Sequence, residues 1–491
     1  MEFGKFKTHY PIEEPYVYAT IVEDPSTKEI KYLVIEPTLT DEDKKVLKKI
    51  KEIFLDELDI DLMELSKEEA SKILENRIKK IIKEYKINID EGQFKKILYY
   101  LKRDFLGFEK IDPLMKDHYV EDISCDGVGI PIYIWHREFE SIKTNIVYES
   151  EEELNRFVTR LAYLCGKHIS IAQPILDASL PDGSRVNATY GSEISRRGTT
   201  FTIRRFRADP LTIIDLIQFG TISIDLAAYL WFIIENKRSI LIAGETASGK
   251  TTLLNCTSMF IRPDMKIVSI EETPELNLPH TNWIPMVTRT GFGRKSADIS
   301  LFDLLKNALR QRPDYIIVGE IRGAEAYTLF QALAIGHGIQ ATIHAESVEK
   351  VISRLESPPM NIPKSMIELL DVIIIQSKVK KGSYSVRRTT CLAEIKEYNR
   401  EKNELIINYL ARWDPNEDTH IMEEESVVLN RISEEKGIPM KEIMNNINKR
   451  KHILKWMVNK GMRRYMEIGS ILREYYTDSE GVFRRALVEI T

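Results

Sequence analysis

Residues 244–251 read Gly244-Glu245-Thr246-Ala247-Ser248-Gly249-Lys250-Thr251. They match the phosphate-loop pattern G-x-x-x-x-G-K-[ST], in which glycines let backbone N–H groups turn inward onto phosphates. The apolar run at 239–243 precedes the pattern, and residues 252–257 have helical character. Because the pattern requires this strand, loop and helix context, we predict a phosphate-binding loop here. A glycine-rich turn without a ligand is the alternative interpretation.

The residues of this loop would divide the work of holding a nucleotide. Lys250 would reach the β- and γ-phosphates, and the hydroxyl of Thr251 would be a ligand of Mg²⁺. The helix that follows would point its positive amino end at the phosphates. The predicted nucleotide-binding residues are Gly244, Glu245, Thr246, Ala247, Ser248, Gly249, Lys250, Thr251 and Thr252.

Length and charge bound the remaining possibilities. A chain of 491 residues is too long for one ordinary core, so we expect two to four domains. The net charge of −5 gives no global basic field that would indicate nucleic-acid binding. The 4 cysteines are far apart and form no C-x-x-C pair, so neither a zinc site nor a disulfide framework is expected. We also expect no membrane-spanning helix, because the sequence has no long uncharged apolar window.

The second half of the chain alternates buried strands with helical segments. The candidate strands are residues 239–243, 265–271, 315–319, 338–343 and 372–376. Such alternation is typical of a parallel sheet covered by helices, so the predicted fold class is α/β.

The remaining segments have a different texture. Residues 16–36 predict a β-hairpin. Residues 40–86 and 91–107 carry apolar residues at helical spacing, either as a packing or docking module or as a solvated face over a small helical core. The predicted organisation is an extension at 1–110, a mixed α/β domain at 111–206, a linker at 207–211, an α/β nucleotide-binding domain at 212–400 and a mainly helical region at 401–491.

Acidic residues follow two of the predicted strands. Residues 314–320 form an apolar run that ends in Gly-Glu, which fits a Walker B strand delivering Glu320 to Mg²⁺ and the attacking water. Ligand crevices of α/β sheets lie at the carboxyl ends of strands, where Glu320 stands. Glu271, Glu272 and Glu275 would polarise water or hold a metal's hydration shell, with a solvated loop as the alternative. Which acid activates water stays open.

Two histidines, His337 and His344, stand seven residues apart around another predicted strand. Each alone is more often a hydrogen-bonded structural histidine. Beside a phosphate loop, both could contact the γ-phosphate and report its loss.

Four motifs follow one another along the chain: the phosphate loop at 244–251, the acidic residues at 271–275, Gly319-Glu320, and the two histidines at 337–344. These four sequence boxes, in this order, resemble the secretion ATPase superfamily. That family includes the motors of type II and type IV secretion, of type IV pili and of the archaellum. The motifs cover roughly residues 110–400, including upstream matches at 112–123 and 182–187. Glu272 stands where the family usually has Asp, and the tetracysteine zinc module and the retraction-motor motif are absent. Those absences, and the charged helical extensions, resemble the archaeal branch.

The resemblance implies an N-terminal α/β domain joined by a flexible linker to a RecA-like ATPase domain. It also implies a homo-hexameric ring that binds ATP and Mg²⁺. Arginines of the N-terminal domain would close onto the phosphates, with Arg185 and either Arg204 or Arg205 as the matching candidates. Surface ion pairing is the alternative for each of them. Arg310, Arg312 and Arg322 flank the Walker B strand and are further candidates.

The implied function is ATP hydrolysis coupled to mechanical work at the cytoplasmic face of the membrane. The ring would act through an integral membrane platform protein on filament subunits or secreted protein. A RecA-like motor on nucleic acid is the rival, against which stand the acidic charge and the lack of aromatic residues interleaved with Arg. A nucleotide-gated scaffold with little turnover is a third possibility. Pilus, archaellum and secretion motors share the same boxes, so these boxes do not identify the cargo.

Overall fold

The computed structural model describes residues 5–56, 66–206, 210–289, 298–381 and 384–490. The chain divides into two compact units, Met1–Phe206 and Arg207–Thr491. Residues 207–209 of the predicted linker lie outside the described residues. Each unit is built on its own nine-stranded sheet.

The first unit has a mostly antiparallel sheet whose order is β1-β2-β3-β6-β5-β4-β9-β8-β7. Its strands are β1 Lys5–Glu13, β2 Val17–Glu23, β3 Ile30–Ile35, β4 Val120–Cys125, β5 Pro131–His136, β6 Glu140–Val147, β7 Ile175–Ser179, β8 Arg185–Thr189 and β9 Thr200–Arg204. The predicted hairpin is present as β2 and β3. It is not part of a separate extension, because β3 pairs in parallel with β6 at Lys31↔Lys143 and Tyr32↔Thr144.

The helices of the first unit form two groups. They are α1 Asp41–Asp56, α2 Lys67–Glu84, α3 Glu91–Phe105, α4 Asp112–Lys116 and α5 Glu151–Leu164. Helices α1 to α3 pack around a small core of their own that includes Ile50, Phe54 and Ile78. Helix α5 instead covers the sheet, and the ring centroids of Phe157 on this helix and Phe201 on β9 are 5.2 Å apart. The predicted helical segments are therefore present over the described residues, and 57–65 lie outside them.

The sheet of the second unit has the order β12-β11-β13-β14-β10-β15-β16-β17-β18. The strands β10 to β15 pair in parallel, and β15 to β18 pair antiparallel. They are β10 Ile240–Gly244, β11 Ile267–Glu271, β12 Trp283–Val287, β13 Tyr315–Val318, β14 Gly338–His344, β15 Val372–Lys381, β16 Tyr384–Asn399, β17 Glu404–Asp414 and β18 Thr419–Met422.

Helices cover both faces of this second sheet. They are α6 Ile213–Gln218, α7 Ile224–Glu235, α8 Lys250–Ser258, α9 Leu301–Arg310, α10 Glu325–Ala334, α11 Val348–Glu356, α12 Lys364–Ile367, α13 Val427–Lys436, α14 Met440–Asn459, α15 Tyr465–Thr477 and α16 Ser479–Ile490. Ile240 and Ile242 belong to one core, and Leu241 and Ala243 belong to the core on the other face. A strand buried on both faces is mostly apolar, which is why the candidate strands could be predicted from the sequence.

The region after residue 400 differs from the prediction in its first part. It begins with β17 and β18, which extend the second sheet, and becomes helical from Val427 onward. The predicted boundary at 400 cuts the hairpin between β16 and β17. These strands were not predicted, although β17 is mostly apolar between its charged ends. Among the described helices, none has the length and apolar character needed to span a bilayer.

Candidate active site

The phosphate loop joins the end of β10 to the start of α8. Gly249 caps α8 with a φ of +93°, a left-handed conformation that favours glycine. Ala247 also has a positive φ, of +60°. Because α8 begins at Lys250, the backbone N–H groups of its first turn have no partner within the helix and are available for an anion.

Gly244 is the point of closest approach between the loop and the sheet. A Cβ at this position would lie 2.2 Å from the carbonyl oxygen of Gln376 and 2.5 Å from Oγ of Ser248. Ser248 Oγ in turn donates to the carbonyl of Glu245 at 2.8 Å. The first glycine of the pattern is therefore required by close packing against β15.

Lys250 lies folded back on its own loop. Its Nζ donates to the carbonyl of Glu245 at 2.8 Å. Burial lowers the pKa of Lys250, and the nearby carboxylate of Glu320 acts in the opposite direction. Glu320 is therefore close enough to Lys250 for its charge to act on the lysine.

Glu320 follows β13 at the carboxyl edge of the parallel sheet. Thr342 of β14 fixes this turn, because its Oγ1 donates to the carbonyl of Gly319 at 2.6 Å and its carbonyl accepts from the N–H of Ile321 at 2.9 Å. The strand ends of β10, β13 and β14 meet at this edge, which places Glu320 on the same side of the sheet as the phosphate loop.

Glu271 ends β11 and is only 3% exposed, so its carboxyl group is inside the protein. It accepts from the backbone N–H groups of Glu275 at 2.9 Å and Leu276 at 3.0 Å. Burial raises the pKa of Glu271 to about 7, against those two hydrogen bonds, which lower it. Its Cγ lies 3.2 Å from the position of a Cβ on Gly319, directly before Glu320. Glu271 therefore braces the acidic turn and carries a perturbed pKa beside the site.

Arg322 joins the two acidic segments. Its guanidinium contacts Oε2 of Glu320 at 2.6 Å and Oε2 of Glu272 at 3.3 Å. The Arg322 and Glu272 side chains are 58% and 52% exposed, so this bridge is at the protein surface. The longer arm of Glu272 thus reaches the same arginine that holds Glu320.

The two predicted histidines lie at opposite ends of β14. His344 pairs with Gly244, the first residue of the phosphate loop. His337 precedes the strand, and its Nδ1 contacts the carbonyl of Pro313 at 2.7 Å. A seven-residue strand spans roughly 20 Å, so His337 is not brought to the phosphate loop within this unit. The prediction that both histidines contact one phosphate is therefore wrong for His337, and for His344 it stays a prediction.

The three predicted arginines of the first unit have different surroundings. Arg185 forms a two-point ion pair with Asp177, with distances of 3.1 Å and 2.8 Å. Arg204 is exposed on β9 directly opposite Arg185. Arg205 is half-buried, and its guanidinium donates to the carbonyls of Asp117 and Val120. Arg205 therefore fixes the turn before β4.

Two residues at the phosphate loop were not predicted. Gln376 ends the buried part of β15 opposite Gly244, and Arg387 of β16 donates from Nε to the carbonyl of Ala247 at 3.2 Å. Gln376 could have been found by the rule that identified Glu320, since it follows a buried parallel strand. Arg387 lies on an antiparallel strand beyond it, and no local signal marked it.

The donor set fits a magnesium nucleotide better than a resident metal. Among the described residues, no cluster of three or more His, Cys, Asp or Glu side chains could hold a metal ion. Mg²⁺ usually keeps several waters and takes only one or two protein oxygens beside substrate phosphates. Thr251 and Glu320 would be such a pair.

Comparison with known proteins identifies the family to which this chain is similar. The family model described as "Type II/IV secretion system protein" matches residues 110–465. An uncharacterized protein of Methanocaldococcus jannaschii is 37% identical over 490 residues, which cover 95% of this chain and 88% of that protein. The type IV secretion system protein PtlH of Bordetella pertussis is 30% identical over 274 residues, covering 48% of this chain and 79% of PtlH. The crystal structure of the pilus retraction motor PilT with bound ADP is 17% identical and covers 72% of this chain and 93% of PilT, with a TM-score of 0.40.

Proposed function

Because the chain belongs to the type II/IV secretion ATPase family, whose ATPase domain is RecA-like, we propose that it hydrolyses ATP and converts the energy into mechanical work. This proposal depends on which residues meet at the carboxyl ends of the parallel strands of the second sheet. There the phosphate loop, Glu320 and His344 lie at the carboxyl ends of three neighbouring parallel strands. This edge is where α/β sheets bind their ligands.

Binding of the nucleotide would begin at the loop. The backbone N–H groups at the start of α8 would receive the phosphates, and Lys250 would exchange the Glu245 carbonyl for a phosphate oxygen. Thr251 and Glu320 would hold Mg²⁺ together with the phosphates, and the ion would neutralise charge that develops on them. Residues 244–252 would therefore bind the nucleotide, and the acidic residues beside them would take part in the reaction.

Activation of water is assigned to Glu320, with Glu271 as its support. The charge of Glu320 acts on Lys250. The carboxylate of Glu271, in contrast, accepts hydrogen bonds from two backbone N–H groups. Arg322 holds Glu320 in place through their 2.6 Å contact. The position of His344 opposite Gly244 suits a side chain that contacts the γ-phosphate and loses that contact after hydrolysis. Glu272 and Glu275 complete the acidic side of the site.

We further propose that the chain works as a homo-hexamer at the cytoplasmic face of the membrane. In such a ring, Arg185 or Arg204 would stabilise the charge of the transferring phosphoryl group, an effect that can reach about 10³-fold in rate. The work would be passed to an integral membrane platform protein that assembles a pilus-like filament, an archaellum or a type II-like secretion complex. The relative PtlH is named as a type IV secretion system protein, which supports the general class of partner.

The first test is the ATPase rate per subunit as a function of protein concentration. It is measured for the wild type and for wild type mixed with Lys250→Ala subunits. A shared-site ring predicts a rate that rises with concentration and falls more steeply than the fraction of Lys250→Ala subunits. A constant rate per subunit with a proportional loss would overturn the ring. Absence of hydrolysis except with added DNA would replace it with the nucleic-acid motor.

A further inference from the structure

The hairpin formed by β15 and β16 passes directly beside the phosphate loop. Gly244 pairs with Gln376 of β15, and Arg387 of β16 reaches the carbonyl of Ala247. A Cβ on Gly249 would lie 3.4 Å from Cδ of Arg387 and 3.7 Å from Nε2 of Gln376. Both side chains therefore lie against the loop at the glycine that starts α8.

The register of the hairpin shows which other residues share that side. Gln376 pairs with Thr389, Lys378 with Arg387, and Lys380 with Ser385. Since alternate residues of a strand point to the same face, Lys378 and Lys380 lie on the face that carries Gln376 and Arg387. We call these four residues, Gln376, Lys378, Lys380 and Arg387, the loop-facing side of the hairpin.

The two sides of the hairpin carry different sets of charged residues. On the far side, Arg388 and Lys381 are both neutralised by Asp418, which Arg388 contacts at 2.7 Å and 2.8 Å. On the loop-facing side, Lys378 and Arg387 are exposed and stand directly opposite each other, an arrangement of like charges that destabilises a sheet. Within the described part of the chain, no carboxylate contacts Arg387. A surface that concentrates cations in this way is suited to an anion.

We propose that Arg387 is a second phosphate-binding cation of the nucleotide site, supplied by the hairpin of the same chain. This inference rests on the proposed nucleotide site and adds a residue to it. Nε of Arg387 donates to the carbonyl of Ala247 at 3.2 Å, which holds the guanidinium against the phosphate loop. The two remaining nitrogens of the planar fork are then free to donate to a phosphate oxygen, a geometry that arginine provides and lysine does not. Lys378 and Lys380 extend the positive surface along the same side.

The test is calorimetric titration of the full chain with ADP and Mg²⁺ at several salt concentrations. Arg387→Ala is expected to weaken ADP binding about 10- to 100-fold, the usual effect of losing a charge-assisted hydrogen bond. Binding should also become less sensitive to salt, because a screened charge–phosphate attraction has been removed. The ADP affinity of Arg387→Lys should lie between those of the wild type and Arg387→Ala. Lys381→Ala, on the far side of the same hairpin, is the matched control and should bind as the wild type does.

Two outcomes would overturn the proposal. One is an Arg387→Ala protein that binds ADP within about twofold of the wild type, well below the effect of a lost charge-assisted bond. The other is weaker binding with unchanged salt dependence, which would make Arg387 only a brace for the Ala247 carbonyl. Lys250→Ala separates this failure from that of the site itself. If Lys250→Ala abolishes ADP binding and Arg387→Ala does not weaken it, only the role of Arg387 fails. If wild type and Lys250→Ala bind equally, the nucleotide site fails with it.

Discussion

Gly244 and His344 lie directly opposite each other on the neighbouring parallel strands β10 and β14. The first residue of the phosphate loop and the last residue of β14 are thus at the same level of the sheet. Gln376 completes the row on the other side of Gly244. Because the register of the sheet fixes His344, its position relative to the phosphate loop does not depend on a flexible connection. Such a fixed position suits a residue that would report on the γ-phosphate.

The first prediction separates the two histidines. His344→Ala should lower kcat for ATP hydrolysis by about tenfold or more, as expected for the loss of one hydrogen bond to a charged phosphate. His337→Ala is the matched control, because it removes the same side chain from the opposite end of the same strand. Its kcat should stay close to that of the wild type. Steady-state hydrolysis of purified variants measures both, and equal losses of kcat would contradict a phosphate contact specific to His344.

The second prediction concerns Gly244. Gly244→Ala should destabilise the protein by about 1–3 kcal/mol, the typical cost of an overpacked core position. It should also abolish nucleotide binding, because the new Cβ would lie 2.2 Å from the carbonyl oxygen of Gln376. Thermal unfolding and ADP titration measure the two effects. Adding Ser248→Ala should not restore binding, since the backbone carbonyl remains. Restoration would mean that the Ser248 hydroxyl is the real obstacle.

The sequence was informative where burial is complete. Each candidate strand of the second unit is a strand in the structure, and the most continuous apolar runs among them are 239–243 and 315–319. A strand between two helical layers must be apolar on both faces, although the buried helix α7 is also a continuous apolar run and differs from these strands in its greater length. The phosphate loop and Glu320 were located by the same logic, because they follow directly at the ends of these strands.

The sequence was less informative where position depends on pairing between distant segments. His337 and His344 are close in sequence but lie at opposite ends of β14, because the whole length of this strand separates them. Arg387 reaches the loop only through the register of β15 and β16. The hairpin of β2 and β3 joins β6 across more than a hundred residues. Strand pairing of this kind leaves no local trace in either segment.

The third prediction uses the raised pKa of Glu271, which is about 7 in the folded protein against an ordinary value of 4.5. Between these values the folded state binds a proton that the unfolded state has released. The stabilising contribution of protonated Glu271 is therefore complete below pH 4.5 and is lost as the pH rises through about 7. Glu271→Gln keeps an oxygen for the N–H groups of Glu275 and Leu276 and cannot ionise.

Urea unfolding at acidic and at mildly alkaline pH should therefore distinguish the two proteins. Relative to Glu271→Gln, the wild type should lose about 3 kcal/mol of unfolding free energy between about pH 5 and pH 8. Parallel stability curves over that range would mean that Glu271 is ionised in the folded protein throughout. Its role would then be that of an ordinary paired carboxylate.

The last prediction distinguishes the arginines of the first unit. Arg205→Ala should lower the unfolding free energy by about 1–3 kcal/mol, because it removes the guanidinium that donates to the carbonyls of Asp117 and Val120. Arg204→Ala changes an exposed strand position and should shift stability by no more than about 0.5 kcal/mol. If Arg204 acts on the phosphates of a ring, its variant should lose hydrolysis while its melting temperature is unchanged. The reverse pattern, with full stability and lost hydrolysis in Arg205→Ala, would transfer the phosphate role to Arg205.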